Sequence, residues 1–196
     1  MTAKHPRRND QGLEVIIRKP HQASPLSAWN DPAGTGIVTP DGEMPDAICG
    51  IPVRHWHQGA SLSDREWEVS TPGMLDSEPP FEPTKPKVAA GTVIVEPDGR
   101  VWLVAPTNGF GGYKATFPKG RPSAGMTLPA TALKETFEES GLRVQLLSWL
   151  VDVPRSETYT RYYLARRVGG HPADMGWETQ AVVLTPREHL PEWLNN

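Results

Sequence analysis

Proline decides where much of this chain cannot be helical. Twelve of its 21 prolines fall within residues 1–86. The run Pro79-Pro80-Phe81-Glu82-Pro83-Thr84-Lys85-Pro86 closes that region. Proline fixes φ, lacks an amide hydrogen and pushes the preceding residue out of the helical region. The run therefore reads as an extended, semi-rigid linker. Its two overlapping P-x-x-P spacings would also suit a proline-binding module. Residues 1–25 read as a disordered tail, and residues 26–86 as a Pro- and Trp-containing N-terminal extension and linker. Large aromatics bury against something. Trp29, Trp56, Trp67 and the apolar stretch Ala47–Val53 are thus expected to pack on the C-terminal domain or on a second copy, which makes a homodimer plausible.

From Lys87 the texture changes. Val88–Glu96 and Arg100–Ala105 read as two strands of a hairpin around the turn Pro97-Asp98-Gly99. Thr107–Tyr113 is a glycine-rich loop and Lys114–Phe117 a short strand. Thr127–Ser140 reads as a helix, with Thr127 as N-cap, Pro129 in the first turn and Gly141 at the left-handed C′ position. Val144–Val153, Thr158–Arg166 and Glu178–Leu184 read as strands, and Pro186–Leu194 as a closing helix. That order indicates an α/β or α+β sandwich, not a repeating βαβ array.

Net charge is −3 with both signs interspersed, which disfavours general nucleic-acid binding. A single cysteine, Cys49, excludes a disulfide framework and points to a reducing compartment. No apolar run is long enough to span a membrane, and the first 30 residues lack the apolar run of a signal peptide. A soluble cytoplasmic protein is expected.

The candidate site is the predicted helix. Glu135, Glu138 and Glu139 stand at i, i+3 and i+4, within an arc of about 100°. Leu133 and Phe137 face roughly the other way. Three like charges near a helix C-terminus repel each other and oppose the macrodipole. A solvated acidic face is the plain reading of such a trio. The chemical one is a site for Mg²⁺, which takes carboxylates, waters and substrate phosphates. The flanks favour the second: Gly120 lets a backbone carbonyl approach a metal, and Lys119 and Arg121 are placed to meet phosphate oxygens.

The stretch Gly120–Leu142 resembles the Nudix box, G-x5-E-x7-R-E-U-x-E-E-x-G-U with U aliphatic. Gly120 falls on its first glycine, Glu135 on the glutamate of R-E, Glu138 and Glu139 on E-E, and Gly141-Leu142 on G-U. Phe117-Pro118-Lys119-Gly120 is similar to the usual lead-in. Met126, Lys134 and Thr136 depart from the pattern, replacing a glutamate, an arginine and an aliphatic residue. The resemblance covers residues 87–196. It implies an α/β/α sandwich with a mixed sheet, and Mg²⁺-dependent hydrolysis (Mn²⁺ substituting) of a phosphoanhydride in a nucleoside diphosphate linked to another moiety. On that basis Glu135, Glu138, Glu139 and the Gly120 carbonyl hold the metal. Glu139 or Glu138 is the general base, unless a later loop supplies it, with Glu178 first and Glu157 second. Tyr159, 17 positions after Leu142, is similar to the tyrosine of dinucleoside polyphosphate hydrolases. Pro154 lies too close to the box for a clean match to ADP-ribose hydrolases. Dinucleoside polyphosphates therefore rank first and ADP-ribose next. Trp102, Tyr113 and Phe110 are candidate base-stacking residues.

Three further features read as minor. His55-Trp56-His57 presents two imidazoles on one face of a strand, but further zinc ligands are not evident nearby. Cys49 lacks the partners of a nucleophile. Gly109-Phe110-Gly111-Gly112 is a flexible loop, suited to a lid. The alternative function is a Nudix fold that binds a nucleotide without cleaving it, to which Met126 and Lys134 lend support.

Overall fold

The computed structural model describes residues 2–56, 59, 62–71, 75, 78–108 and 114–194. The extension carries five short strands, β1 Ala3–Lys4, β2 Ile16–Ile17, β3 Gly36–Val38, β4 Ala47–Ile48 and β5 Ile51–Pro52, then helix α1 Asp64–Ser70. The C-terminal part carries β6 Val88–Ile94, β7 Val101–Pro106, β8 Lys119–Gly120, helix α2 Leu128–Ser140, β9 Leu142–Pro154, β10 Tyr159–Gly170, β11 Thr179–Thr185 and helix α3 Leu190–Leu194. A sheet ordered β8-β6-β10-β9 is mixed, with β6 and β10 parallel and the other pairs antiparallel. A second sheet, β3-β11-β7, is antiparallel.

Alternation along β7 and β11 explains the layering. Trp102, Val104, Val182 and Leu184 point into the main core, which also takes Ala130, Leu133 and Phe137 of α2. Leu103, Ala105, Ala181 and Val183 point the other way, onto Leu190, Trp193 and Leu194 at α3. Side chains on successive strand residues face opposite sides, so helices cover both faces and every residue of β11 is buried. This is the expected α/β/α arrangement with a mixed sheet.

The expected hairpin is corrected. Its turn forms, with Glu96 N–H donating to Arg100 O and a bridge between Val95 and Val101. Beyond that bridge the two arms enter different sheets. Both edges of β6 are taken by β8 and β10, so β7 pairs with β11 instead. The strand expected over Lys114–Phe117 shrinks to a bridge between Thr116 and Val104. The closing helix divides into a 3-10 turn at Arg187–His189 and α3.

Where the sequence suggests a tail over residues 1–25, the structure has the β1–β2 hairpin. His5, 6% exposed, docks it: Arg7 N–H donates to Nδ1, so Nε2 carries the proton and donates to Thr179 O at 3.0 Å. The extension packs on the C-terminal part of its own chain. Trp29 stacks on Trp102, and Trp56 and Trp67 meet Phe137.

Three arginines of the C-terminal part, each no more than 2% exposed, hold the extension's backbone. Arg100 donates to Ala28 O and Trp29 O. Arg167 donates to Ile48 O and Pro52 O while pairing with fully buried Glu96 at 2.6 Å. Arg161 donates to Pro79 O and Pro80 O and pairs with Glu78 and Asp152, both at 2.7 Å. Phe81 lies between Arg161 and Tyr159, so the proline run is laid onto β10.

Breaking a buried ion pair by deleting one partner strands the other charge, at a cost of about 3–5 kcal/mol. Arg167→Ala should lower the free energy of unfolding in urea by that amount. A loss below about 1 kcal/mol would show that Arg167, paired with Glu96 and bonded to Ile48 O and Pro52 O, contributes little to the fold.

Candidate active site

Helix α2 forms where the sequence places it. The Thr127 side chain accepts from Ala130 N–H, and Gly141 ends the helix at φ 67° with its N–H on Phe137 O. Helix α1 braces its N-terminal half. Glu68 accepts from the Thr127 hydroxyl and amide, and Asp64 meets Lys134 Nζ at 2.8 Å. Two departures from the box acquire partners: Lys134 takes Asp64, and the Thr136 hydroxyl meets that of Thr92 on β6 at 2.6 Å, fully buried. Met126 is buried in the main core.

The acidic arc forms at the C-terminal half of α2. Glu139 Oε2 accepts the Lys119 backbone N–H at 2.8 Å, which ties the helix to β8. Glu135 lies against Gly120, where a Cβ would overlap its carboxylate. Glu138 is exposed at the rim. Glu178, just before β11, joins the three from another element. Its backbone O accepts from Thr107 N–H at 2.7 Å.

Three of these carboxylates, Glu135, Glu138 and Glu178, line two clefts. One, of about 810 Å³, has Glu135, Glu138 and Glu178 with Arg7, Asp10 and Trp177. The other, of about 660 Å³, has Glu135 and Glu178 with Lys119, Arg121, Arg155 and Glu157. Thus Lys119, Arg121 and both loop-glutamate candidates come together with the helix, although Glu157 also pairs with Lys87 at 3.4 Å. Tyr159 does not join them: its ring packs on Phe81 and lines neither cleft. Trp102, open to either base stacking or the core on sequence, takes the core. It is 1% exposed, stacks on Trp29 and donates from Nε1 to Glu96, so no base reaches it. Phe110, Tyr113, the loop at 109–112 and His57 lie outside the described residues. Arg7 and Asp10 carry no motif and reach the cleft only because the hairpin docks there. Trp177 was visible as the neighbour of Glu178, and its Nε1 donates to Asp10.

Electrostatic strain marks the arc. Burial, with the charges of Glu139, Glu138 and Glu178, raises Glu135 from the usual 4.5 to about 8. Burial raises Glu139 to about 7, against the charge and N–H of Lys119. Glu138 and Glu178 are raised too, chiefly by partial burial. Burial acts to lower Lys134, but Asp64, Glu138 and Glu135 outweigh it and hold the ammonium above its usual value. An all-oxygen donor set that resists carrying its own charge, beside a glycine whose missing side chain leaves room for Glu135, suits a hard divalent cation.

A family model described as the NUDIX domain matches residues 85–196. No curated protein matches. Among solved structures, the chain is similar to a NUDIX hydrolase from Nitrosomonas europaea, with 24% identity, a TM-score of 0.46, and 57% of this chain and 62% of that one covered. It is also similar to an ADP-ribose pyrophosphatase from Streptococcus suis, with 22% identity, a TM-score of 0.44, and 52% and 74% covered. A third is an Ap4A hydrolase from C. elegans, with 19% identity, a TM-score of 0.48, and 56% and 87% covered. The chain thus spans about three-fifths of the Nitrosomonas protein's length.

The raised carboxylates set a pH dependence. A group whose folded pKa exceeds its unfolded value binds its proton more tightly when folded, so stability falls as pH rises between the two values. For Glu135 and Glu139 that window runs from 4.5 to about 8 and about 7. Metal-stripped protein should therefore melt at a lower temperature at about pH 8.5 than at about pH 5.5. Glu139→Gln, an uncharged mimic of the protonated form, should flatten that slope. A slope unchanged by the substitution would refute the assignment to Glu139.

Proposed function

This chain belongs to the Nudix family, and we propose that it is a Mg²⁺-dependent pyrophosphohydrolase of a nucleoside diphosphate linked to another moiety. The placement of Glu135 against Gly120, of Glu138 and Glu178 along the same cleft as Glu135, and of Glu139 on the Lys119 amide, with Lys119 and Arg121 alongside, carries this reading. Glu135, Glu138, Glu139 and the Gly120 carbonyl are the groups that would hold Mg²⁺ or Mn²⁺. The ion supplies charge neutralisation at the phosphates and a more acidic water. Lys119 and Arg121 take phosphate oxygens. Glu139, Glu138 or Glu178 accepts the proton of the attacking water.

The substrate class stays at that level. Tyr159 faces Phe81, so it no longer separates dinucleoside polyphosphates from ADP-ribose. Trp177, which lines the 810 Å³ cleft, is the aromatic surface proposed to take a base. A second reading, nucleotide binding without turnover, draws on Lys134. Its ammonium is engaged by Asp64 of the extension, where the family arginine would hold a catalytic carboxylate.

The test is product release with Mg²⁺ or Mn²⁺ from dinucleoside polyphosphates, ADP-ribose, NADH, nucleoside triphosphates and capped RNA, with phosphatase added where products need it. Turnover of at least one substrate is expected, falling about 100-fold or more in Glu138→Gln or Glu139→Gln, within the range for lost acid–base chemistry. Binding of one of these nucleotides with no turnover by folded wild-type protein would establish the second reading.

A further inference from the structure

The His55 imidazole, which the sequence pairs only with His57, meets His171 and Asp174 in the fold. Arg54 N–H donates to Gly170 O at 3.2 Å, and this backbone bond sets His55 opposite His171. Their rings stack at 4.2 Å between centroids, 9° from parallel. Asp174 meets His55 Nδ1 at 2.8 Å. One donor atom from each of the three lies within 4.8 Å of the others. We propose that His55, His171 and Asp174 form a second metal site, separate from the glutamate arc, for a borderline cation of the Zn²⁺ class.

The donor chemistry separates the two sites. Two imidazoles and one carboxylate suit Zn²⁺ and its transition-metal neighbours, whereas the arc offers only oxygen. Three protein ligands are a common Zn²⁺ set, with the fourth position open to water. His171 Nδ1 is enclosed and has no hydrogen-bond partner among the described residues. An enclosed, unpaired ring nitrogen is costly and rare, and a metal bound through His171 Nδ1 would satisfy it.

The frame around the site is fixed. His171 N–H donates to Gly141 O at 3.1 Å, Asp174 N–H to His171 O at 2.9 Å, and Gly176 N–H to Glu138 O at 2.7 Å. The turn carrying two of the ligands is therefore bolted to the end of α2. His55 is the adjustable member, with its side chain 54% exposed. A metal lies in the plane of each ring that binds it, so stacked rings cannot both ligate as they stand. His55 must tilt while His171 stays. Arg7 opposes binding, with Nη2 3.8 Å from Asp174, but it has Asp41 at 3.4 Å as an alternative partner. Asp174 also lines the 810 Å³ cleft, so the ion sits at its wall and pins the extension to the turn after β10.

The full chain, stripped with chelator and held in excess Mg²⁺ to occupy the arc, would be titrated with Zn²⁺ by calorimetry and with Co²⁺ by visible absorption. One Zn²⁺ per chain is expected, with Co²⁺ giving the intense bands of a tetrahedral site and Zn²⁺ raising the melting temperature. His55→Ala, His171→Gln and Asp174→Asn should each weaken Zn²⁺ binding at least about 10-fold, the lower end seen even for outer-shell substitutions. Glu138→Gln and Glu139→Gln should leave it unchanged. His55→Ala alters a half-exposed side chain, so it decides the matter even if the enclosed His171 variant does not fold. Absence of Zn²⁺ binding overturns the proposal. So does binding that survives His55→Ala, or that disappears with the glutamates.

Discussion

Everything else in this molecule depends on three guanidinium groups taken out of water. Arg100, Arg161 and Arg167 sit in the C-terminal part, and each spends donors on backbone carbonyls of the extension. A buried guanidinium must be paired and hydrogen-bonded, or the desolvation cost is not recovered. Carboxylates meet part of that need: Asp98, Asp152 with Glu78, and Glu96. The remaining N–H groups need acceptors, and residues 28–29, 48–52 and 79–80 supply them. The extension is thus a structural component of the C-terminal part. Proline suits that task at residues 79–80, where an extended backbone leaves the carbonyls of Pro79 and Pro80 open to Arg161.

The same wrapping shapes the acidic helix. Helix α1 has its own capping box, with Ser63 and Glu66 bonding reciprocally, and lies along α2. Asp64 occupies Lys134, and Glu68 reinforces the cap at Thr127. A lysine offers a point charge where an arginine offers a planar fork. Here that charge is shared between Asp64 and the glutamates rather than aimed at one carboxylate. Thr136 replaces an aliphatic residue without leaving a stranded hydroxyl, because Thr92 faces it. Two departures from the family pattern are therefore answered by neighbours elsewhere in this chain.

What could be read from sequence was what is local. The arc on α2 follows from helical period alone, and its capping residues from their chemistry. Glu178 directly precedes β11, a position that places it at the rim of the sheet beside the cleft. The packing of Tyr159 was not legible because its partner, Phe81, lies 78 positions earlier, in a run whose sequence reads as a linker or a proline-module ligand. The hairpin was misjudged because pairing depends on which edges are free, and β8 and β10 claim both edges of β6 from a distance. The His55 neighbourhood was invisible for the same reason: His171 and Asp174 lie more than a hundred residues away and carry no spacing signal. Arg7 and Asp10 are held at the cleft by buried His5, whose partner is the carbonyl of Thr179, together with the bond from Trp177 Nε1 to Asp10 and the pairs of Arg7 with Asp41 and Asp174.

The placement of the carboxylates carries a final consequence. Glu135, Glu138 and Glu139 occupy the end of α2 where the helix dipole disfavours negative charge. Glu139 is also enclosed beneath the amide of Lys119. Without a cation, the cheapest response at low pH is to keep protons, as the raised values near 7 and 8 express. Above those values the repulsion falls on the junctions that hold the helix: the Lys119 amide, the α1 brace and the turn joined through Gly176 to Glu138 O. A divalent ion held there, as proposed, would relieve the repulsion at its source. Its binding and the rigidity of α2 would then be one equilibrium, set against the frame that the arginine-held extension supplies.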